Sequence, residues 1–203
     1  MMPRVSVIIP YNKDRGFLFQ AVDSVLRQTY ADVECVPSFG DGLVGVNFNN
    51  GLKRATGEYV MVCAEDDFLE LDAVENLVAG MDGFDFVCAN AYIWTDGKRV
   101  EYKSQVPRNH LVLIEYNSIH GGTVMYRKSV LDAIGGMDES LWTAEEYDMN
   151  VRLLKAGYKL GKVEAFVHNN RIHGMSKSKQ WLSDPQMKFE RIMYIEKIKS
   201  GLR

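Results

Sequence analysis

Residues 58–67 read Glu-Tyr-Val-Met-Val-Cys-Ala-Glu-Asp-Asp. A short, unbroken apolar run that stops at three adjacent carboxylates is the pattern of a strand buried on both faces and ending at a charged loop. Toward the N-terminus, Val5–Pro10 is a second run of the same kind. Between the two, Phe17, Leu18, Ala21, Val22, Val25 and Leu26 recur at helical spacing. Val33–Val36 reads as a short strand, and Asn47–Ala55 as a short helix stopped by Thr56-Gly57. Downstream, Ala73–Ala79 is helical behind a capping Asp72, and Phe84–Cys88 is a fourth strand. Strands alternating with helices predict an α/β domain: a mostly parallel central sheet with helices on both faces.

The second half is more mixed. Ala91–Trp94 and Lys98–Tyr102 flank Thr95-Asp96-Gly97, a hairpin signal. Thr123–Tyr126 and Val163–Val167 read as strands. Ser129 opens a short helix that stops at Gly135-Gly136. Thr143 opens a longer one running to Lys155, stopped by Gly157. Ser183-Asp184-Pro185 opens a last helix, Pro185 to Lys199.

Composition narrows the function classes. The 203 residues, 46% of them hydrophobic, suffice for one large core. No apolar run approaches the roughly 20 residues that cross a bilayer. The N-terminus has no long apolar stretch, so no secretory leader is expected. Cys35, Cys63 and Cys88 lack paired spacing, which argues against a disulfide scaffold or zinc knuckle and for a reducing compartment; each sits in an apolar run, as a small core residue does. A cytoplasmic location is expected. The net charge is −3, but residues 171–203 hold eight Lys/Arg against three Asp/Glu. The body is therefore acidic, which speaks against nucleic acid as a partner. The basic last helix, with Phe189, Ile192, Met193, Ile195 and Ile198, allows membrane contact that is at most peripheral. Packing against the domain is the preferred reading.

Open α/β sheets bind ligands at the carboxyl ends of their strands. Those ends are Pro10–Arg15, Pro37–Asp41 and Ala64–Phe68. Glu65, Asp66 and Asp67 repel one another, and a hard divalent cation relieves that repulsion. A solvated acidic loop is the other reading, and these residues alone leave both open.

The chain resembles the family 2 glycosyltransferases of GT-A fold. The likeness rests on Val5-Ser-Val-Ile-Ile-Pro-Tyr-Asn12, Ala55-Thr-Gly-Glu-Tyr-Val60, Ala64-Glu-Asp-Asp67, Gly135-Gly-Met-Asp-Glu139 and Glu145-Glu-Tyr-Asp-Met-Asn-Val-Arg-Leu153, in that order, with His168 to Ser176 matching a late motif. It implies one catalytic domain over residues 1–180, with a nucleotide-sugar half (1–90) and an acceptor half (91–180), followed by a basic helix over 181–203. The implied reaction transfers a sugar, with inversion, from a UDP- or dTDP-sugar to a hydroxyl of a glycan or glycoprotein. In size and in its opening, the chain also resembles short viral members that glycosylate capsid protein.

The resemblance implies roles. Pro10, Tyr11 and Asn12 hold the nucleotide, with Tyr11 against the base. Ser38 contributes a hydroxyl where the family has an acidic segment. Asp66 faces the ribose. Asp67 coordinates Mn²⁺ or Mg²⁺, with His173 as a further ligand, and Glu65 points away. Arg171 clamps the diphosphate. Glu146 is the general base, with Glu145 in reserve. By spacing alone, Thr143-Ala-Glu-Glu146 is better read as a capping box; the resemblance reverses that preference. Asp148 is expected to support the site, and Arg152 to pair with an acid. Trp94, Trp142 and Trp181 are candidate sugar platforms, Trp142 first. Two departures stand out: Pro37-Ser-Phe-Gly-Asp-Gly42 replaces the acidic segment, and Asn47-Phe-Asn-Asn-Gly51 lacks the family's arginine. The alternatives are a nucleotidyltransferase, for which Lys13-Asp-Arg-Gly16 is a faint phosphate loop, and a non-catalytic nucleotide-sugar-binding module.

Overall fold

The computed structural model describes residues 2–201, apart from the side chains at 178, 181, 182, 190 and 198. The Trp181 platform and Ile198 on the last helix therefore lie outside the described residues. In chain order the elements are β1 (Val5–Tyr11), α1 (Leu18–Leu26), β2 (Val33–Phe39), α2 (Val44–Arg54), β3 (Tyr59–Val62), β4 (Phe68–Leu69), α3 (Ala73–Ala79), β5 (Phe86–Thr95), β6 (Lys98–Tyr102), α4 (His110–Glu115), a 3₁₀ turn (Gly121–Thr123), β7 (Met125–Arg127), α5 (Lys128–Ile134), α6 (Glu145–Lys155), β8 (Leu160–Arg171), α7 (Lys177–Ser183) and α8 (Pro185–Lys199).

One sheet carries both halves, in the order β2-β1-β3-β7-β5-β8-β4, with β6 beside β5. The pairs β2-β1, β1-β3 and β5-β8 are parallel. Strand β7 enters antiparallel between β3 and β5, so the centre is mixed. Side chains alternate across it with a period of two. Ile8, Val60 and Val62 join Phe48, Tyr126 and Leu153 on one face. Val7, Ile9 and Met61 join Ala21, Val25 and Leu77 on the other. Each such side chain stabilises the fold by roughly 1.5–3 kcal/mol. Two apolar faces on one strand require helices on both sides.

Several elements differ from the sequence expectation. Strand β2 runs three residues further, through Pro37; it lies at the sheet edge, where a missing N–H costs no ladder bond. Phe84–Cys88 and Ala91–Trp94 merge into one ten-residue strand, β5. The hairpin turn places Asp96 at φ 50° and Gly97 at φ 75°, as a two-residue turn of this hand needs. Asp72 makes no side-chain cap, whereas Asn109, unremarked in the sequence, accepts from Val112 N at the start of α4. Ser129 falls inside α5 rather than before it. Helix α7 was not anticipated. Its partner α8 packs Tyr194 edge-on to Trp142, with ring centroids 6.2 Å apart, and leaves Phe189, Ile192 and Met193 exposed. Among the described residues no helix is long and apolar enough to cross a membrane.

Candidate active site

A cavity of about 760 Å³ opens at the strand ends. Its walls include Pro10, Tyr11 and Asn12 from the end of β1, Asp66 and Asp67 after β3, Glu146 on α6 and Arg171 at the end of β8. Seven of the expected site residues thus meet in one space. Ser38 and His173 are not among its walls. Ser38 is buried and packs against Gly51 of α2. Tyr11 packs instead against exposed Phe39, with ring centroids 5.3 Å apart. Asn47 Nδ2 donates to the carbonyls of Tyr11 (3.0 Å) and Gly40 (2.8 Å), stitching the ends of β1 and β2 together. Phe48, next to it, is core.

The three acids after β3 face three different environments. Glu65, expected to point away, is itself part of the cavity wall and accepts from Arg15 Nη1 at 2.8 Å; burial raises its proton affinity and the arginine opposes that. This pairing also takes up the cation a phosphate loop would have offered. Asp66 Oδ2 lies 3.0 Å from His173 Nε2. Burial and the neighbouring Asp67 raise the Asp66 pKa, with His173 acting against them. Asp67, the expected metal ligand, points inward. Its Oδ2 lies 2.9 Å from His168 Nε2, its Oδ1 accepts the Arg171 backbone N–H at 2.8 Å, and both oxygens face Asn170 Nδ2. Burial alone would favour the neutral acid, but these hydrogen bonds outweigh it and hold Asp67 below the usual carboxylate range.

His173 is brought in by the chain beyond β8. Its ring lies 5.0 Å from that of Phe17, and its Nδ1 accepts the Met175 N–H at 3.3 Å. Arg171 donates from Nη1 to the Asp66 carbonyl (2.9 Å) and from Nη2 to Gln20 (2.8 Å), with its guanidinium over the Phe17 ring. Asp66 and His173 set a carboxylate oxygen beside an imidazole nitrogen, donor types that suit Mn²⁺. Among the described residues no three His, Cys, Asp or Glu are grouped to hold a metal. A cation here would draw its remaining ligands from diphosphate and water, as Mg²⁺ and Mn²⁺ sites commonly do.

Across the cavity stands α6. Ala144 precedes it at φ 63°, and no side chain caps the helix. The left-handed residue breaks the Thr143–Glu146 box; Thr143 Oγ1 accepts from Arg191 Nη1 instead, at 3.4 Å. Glu145 is buried on Lys177, with Nζ at 2.7 Å. Glu146 lies against Gly121 and faces the cavity. Burial first, then adjacent Glu145, raise its pKa. Asp148 pairs with Arg152 at 2.8 Å, and Arg152 also reaches the carbonyls of Ile134 and Gly136. His120 also lines the cavity; burial, then His168, push its pKa down to about 4, so it is neutral.

Reasoning from the sequence singled out neither His168 nor Asn170 as a site residue. The available signal was a histidine directly after the apolar run Val163–Val167.

A family model described as glycosyl transferase family 2 matches residues 41–135, and one described as N-terminal domain of galactosyltransferase matches residues 108–176. An uncharacterized glycosyltransferase of Rickettsia typhi is 25% identical over 84% of this chain and 64% of its own length. A Rickettsia felis glycosyltransferase is also 25% identical, over 88% of this chain but 36% of its own. Chondroitin synthase of Pasteurella multocida is 23% identical over 85% of this chain and 21% of its own. The chain thus spans between a fifth and two thirds of these relatives. All are bacterial, and they lend nothing to the viral likeness. Among solved structures, S. aureus TarS 1–349 in complex with UDP-GlcNAc matches with a TM-score of 0.67 at 17% identity, over 85% of this chain and 60% of that one. At that identity the likeness is one of fold, and the fold is GT-A. The motif resemblance to family 2 glycosyltransferases holds.

Proposed function

From a GT-A fold that carries the family 2 glycosyltransferase signature, we propose an enzyme that moves a sugar from a nucleotide-diphosphate sugar to an acceptor hydroxyl, with inversion. One observation carries this reading. A single cavity sets a carboxylate of raised proton affinity, Glu146, opposite the strand-end residues Tyr11, Asn12 and Asp66. The neighbours solved with UDP and UDP-GlcNAc support a UDP-sugar as donor.

Glu146 takes the proton of the acceptor hydroxyl while that oxygen attacks the anomeric carbon. The carbon's bond to the diphosphate breaks, and the electron pair leaves with the nucleotide diphosphate. Inversion needs one free carboxylate; a retaining route through a covalent intermediate needs a second as nucleophile. Glu65, Asp66, Asp67 and Glu145 each have a partner, as given above. Tyr11 and Asn12 bind the nucleoside, and Arg171 orients the diphosphate. Asp66 and His173 would hold Mn²⁺ or Mg²⁺, which supplies positive charge to the leaving diphosphate. Tyr116 borders the acceptor side, where a glycan or glycoprotein would enter, whereas Trp142, the first sugar platform expected, packs on Tyr194 outside that cavity. The reaction is assigned to the cytoplasm, with any membrane contact made through α8.

The test is a transfer assay with UDP- and dTDP-sugars, with and without Mn²⁺. Sugar release or transfer with one donor supports the reading. Nucleotide-sugar binding without turnover on any acceptor would instead favour a binding module.

A further inference from the structure

His168 occupies an unusual place for a histidine. It is fully buried on β8, between Leu69 of the edge strand β4 and Ala91 of β5. A polar ring there costs stability unless it is hydrogen-bonded. Its Nε2 meets Asp67, whose carboxylate also gathers Asn170 Nδ2 and the Arg171 N–H. One carboxylate thus ties down three of the four residues from 168 to 171, and the chain leaving that knot reaches His173 two residues later. The other contact is with the turn before β7. A methyl group on Gly122 would lie 2.5 Å from the His168 ring, and one on Gly121 would lie 2.7 Å from Glu146 Cβ. Neither glycine has a positive φ. What these positions require is close approach, not unusual backbone.

We propose that His168 is a positioning residue that sets both ends of the cavity at once. Through Asp67 it aims the segment bearing Arg171 and His173. Through Gly122 it fixes the turn against which Glu146 rests. The roles of Glu146 and His173 rest on the function proposed above; the mechanical link does not.

The experiment compares His168→Ala, His168→Gln and Gly122→Ala with the unmodified chain. It reads residue-resolved hydrogen exchange, calorimetry of UDP with Mn²⁺, and steady-state transfer. A glutamine amide can stand where imidazole Nε2 donates. His168→Ala is expected to lose protection at Arg171 by about 10- to 100-fold, the size of a lost charge-assisted hydrogen bond, with β1 and β3 unchanged. Donor KM should rise and kcat should fall together. His168→Gln should restore most of the Arg171 protection and the donor KM. Gly122→Ala, which keeps the imidazole but forces it and the turn apart, should reproduce part of both defects. Uniformly faster exchange in His168→Ala with a silent Gly122→Ala would reduce His168 to a core residue and overturn the proposal. So would unchanged exchange at Arg171. If the unmodified chain does not bind UDP while the exchange pattern appears as expected, the donor assignment fails and the positioning role stands.

Discussion

The two ends of the cavity partner their carboxylates differently. At the donor end, Glu65, Asp66 and Asp67 each meet a cation, an imidazole or a set of N–H groups. At the acceptor end, Glu145 takes the nearby lysine, and Glu146 is left beside a glycine and a like charge. The first arrangement holds Asp67 anionic and fixed, ready to orient its neighbours. The second raises proton affinity, which a base needs if it is to take a proton near neutral pH. Adjacent acids therefore acquire different chemistry from what the fold sets against them.

The sharpest way to break this contrast is Glu146→Gln. Turnover should fall on the order of 10²–10⁴-fold, while UDP binding measured by calorimetry stays unchanged. Near-normal turnover would remove Glu146 as the base.

At the other end, Asp66→Asn and His173→Ala should each weaken Mn²⁺-dependent UDP binding by about 10- to 100-fold, as loss of a metal contact or its support does. Binding in EDTA should not change. Asp67→Asn should act differently, by loosening residues 170–173 in hydrogen exchange.

A smaller effect concerns pH. Glu146 works unprotonated and its pKa is raised, so kcat/KM should fall with decreasing pH through a limb above the ordinary glutamate range. Lys177 lowers that pKa. Lys177→Met should therefore move the limb to higher pH, and a pH–rate profile checks the direction.

The smallest effects compare helix caps on the two sides. Asn109→Ala should cost about 1 kcal/mol in urea unfolding, because the side chain accepts from Val112 N. Asp72→Ala should stay within about 0.5 kcal/mol, because no side-chain cap is present to lose.

Much of the donor side was legible in advance. The apolar runs of β1 and β3 fill both faces of the sheet, and their ends line the cavity. The acceptor side was less so. Thr143-Ala-Glu-Glu146 carries a capping-box pattern, yet Ala144 sits at φ 63° and no cap forms. Asp72 has the composition of a cap without its geometry. Ser38 looked like a ligand contact, but it is buried against Gly51, outside the cavity walls. In each case a side chain of the right type was aimed elsewhere by packing that local pattern does not encode.

The order of strands and helices, the buried character of β1 and β3, and the presence of acids at a strand end all follow from residues near one another in the chain. Periodicity and propensity act over a few residues, so they can be read directly. Which acid faces which partner does not follow from them. Asp66 meets His173 and Asp67 meets His168 across more than a hundred residues, because β8 pairs with β5 and β4 in one register and not another. A shift of one residue would turn every side chain of β8 to the opposite face. The antiparallel entry of β7, which sets Gly121 against Glu146, is likewise a choice of strand partner. Such choices are made by the whole sheet, and the functional geometry is settled there.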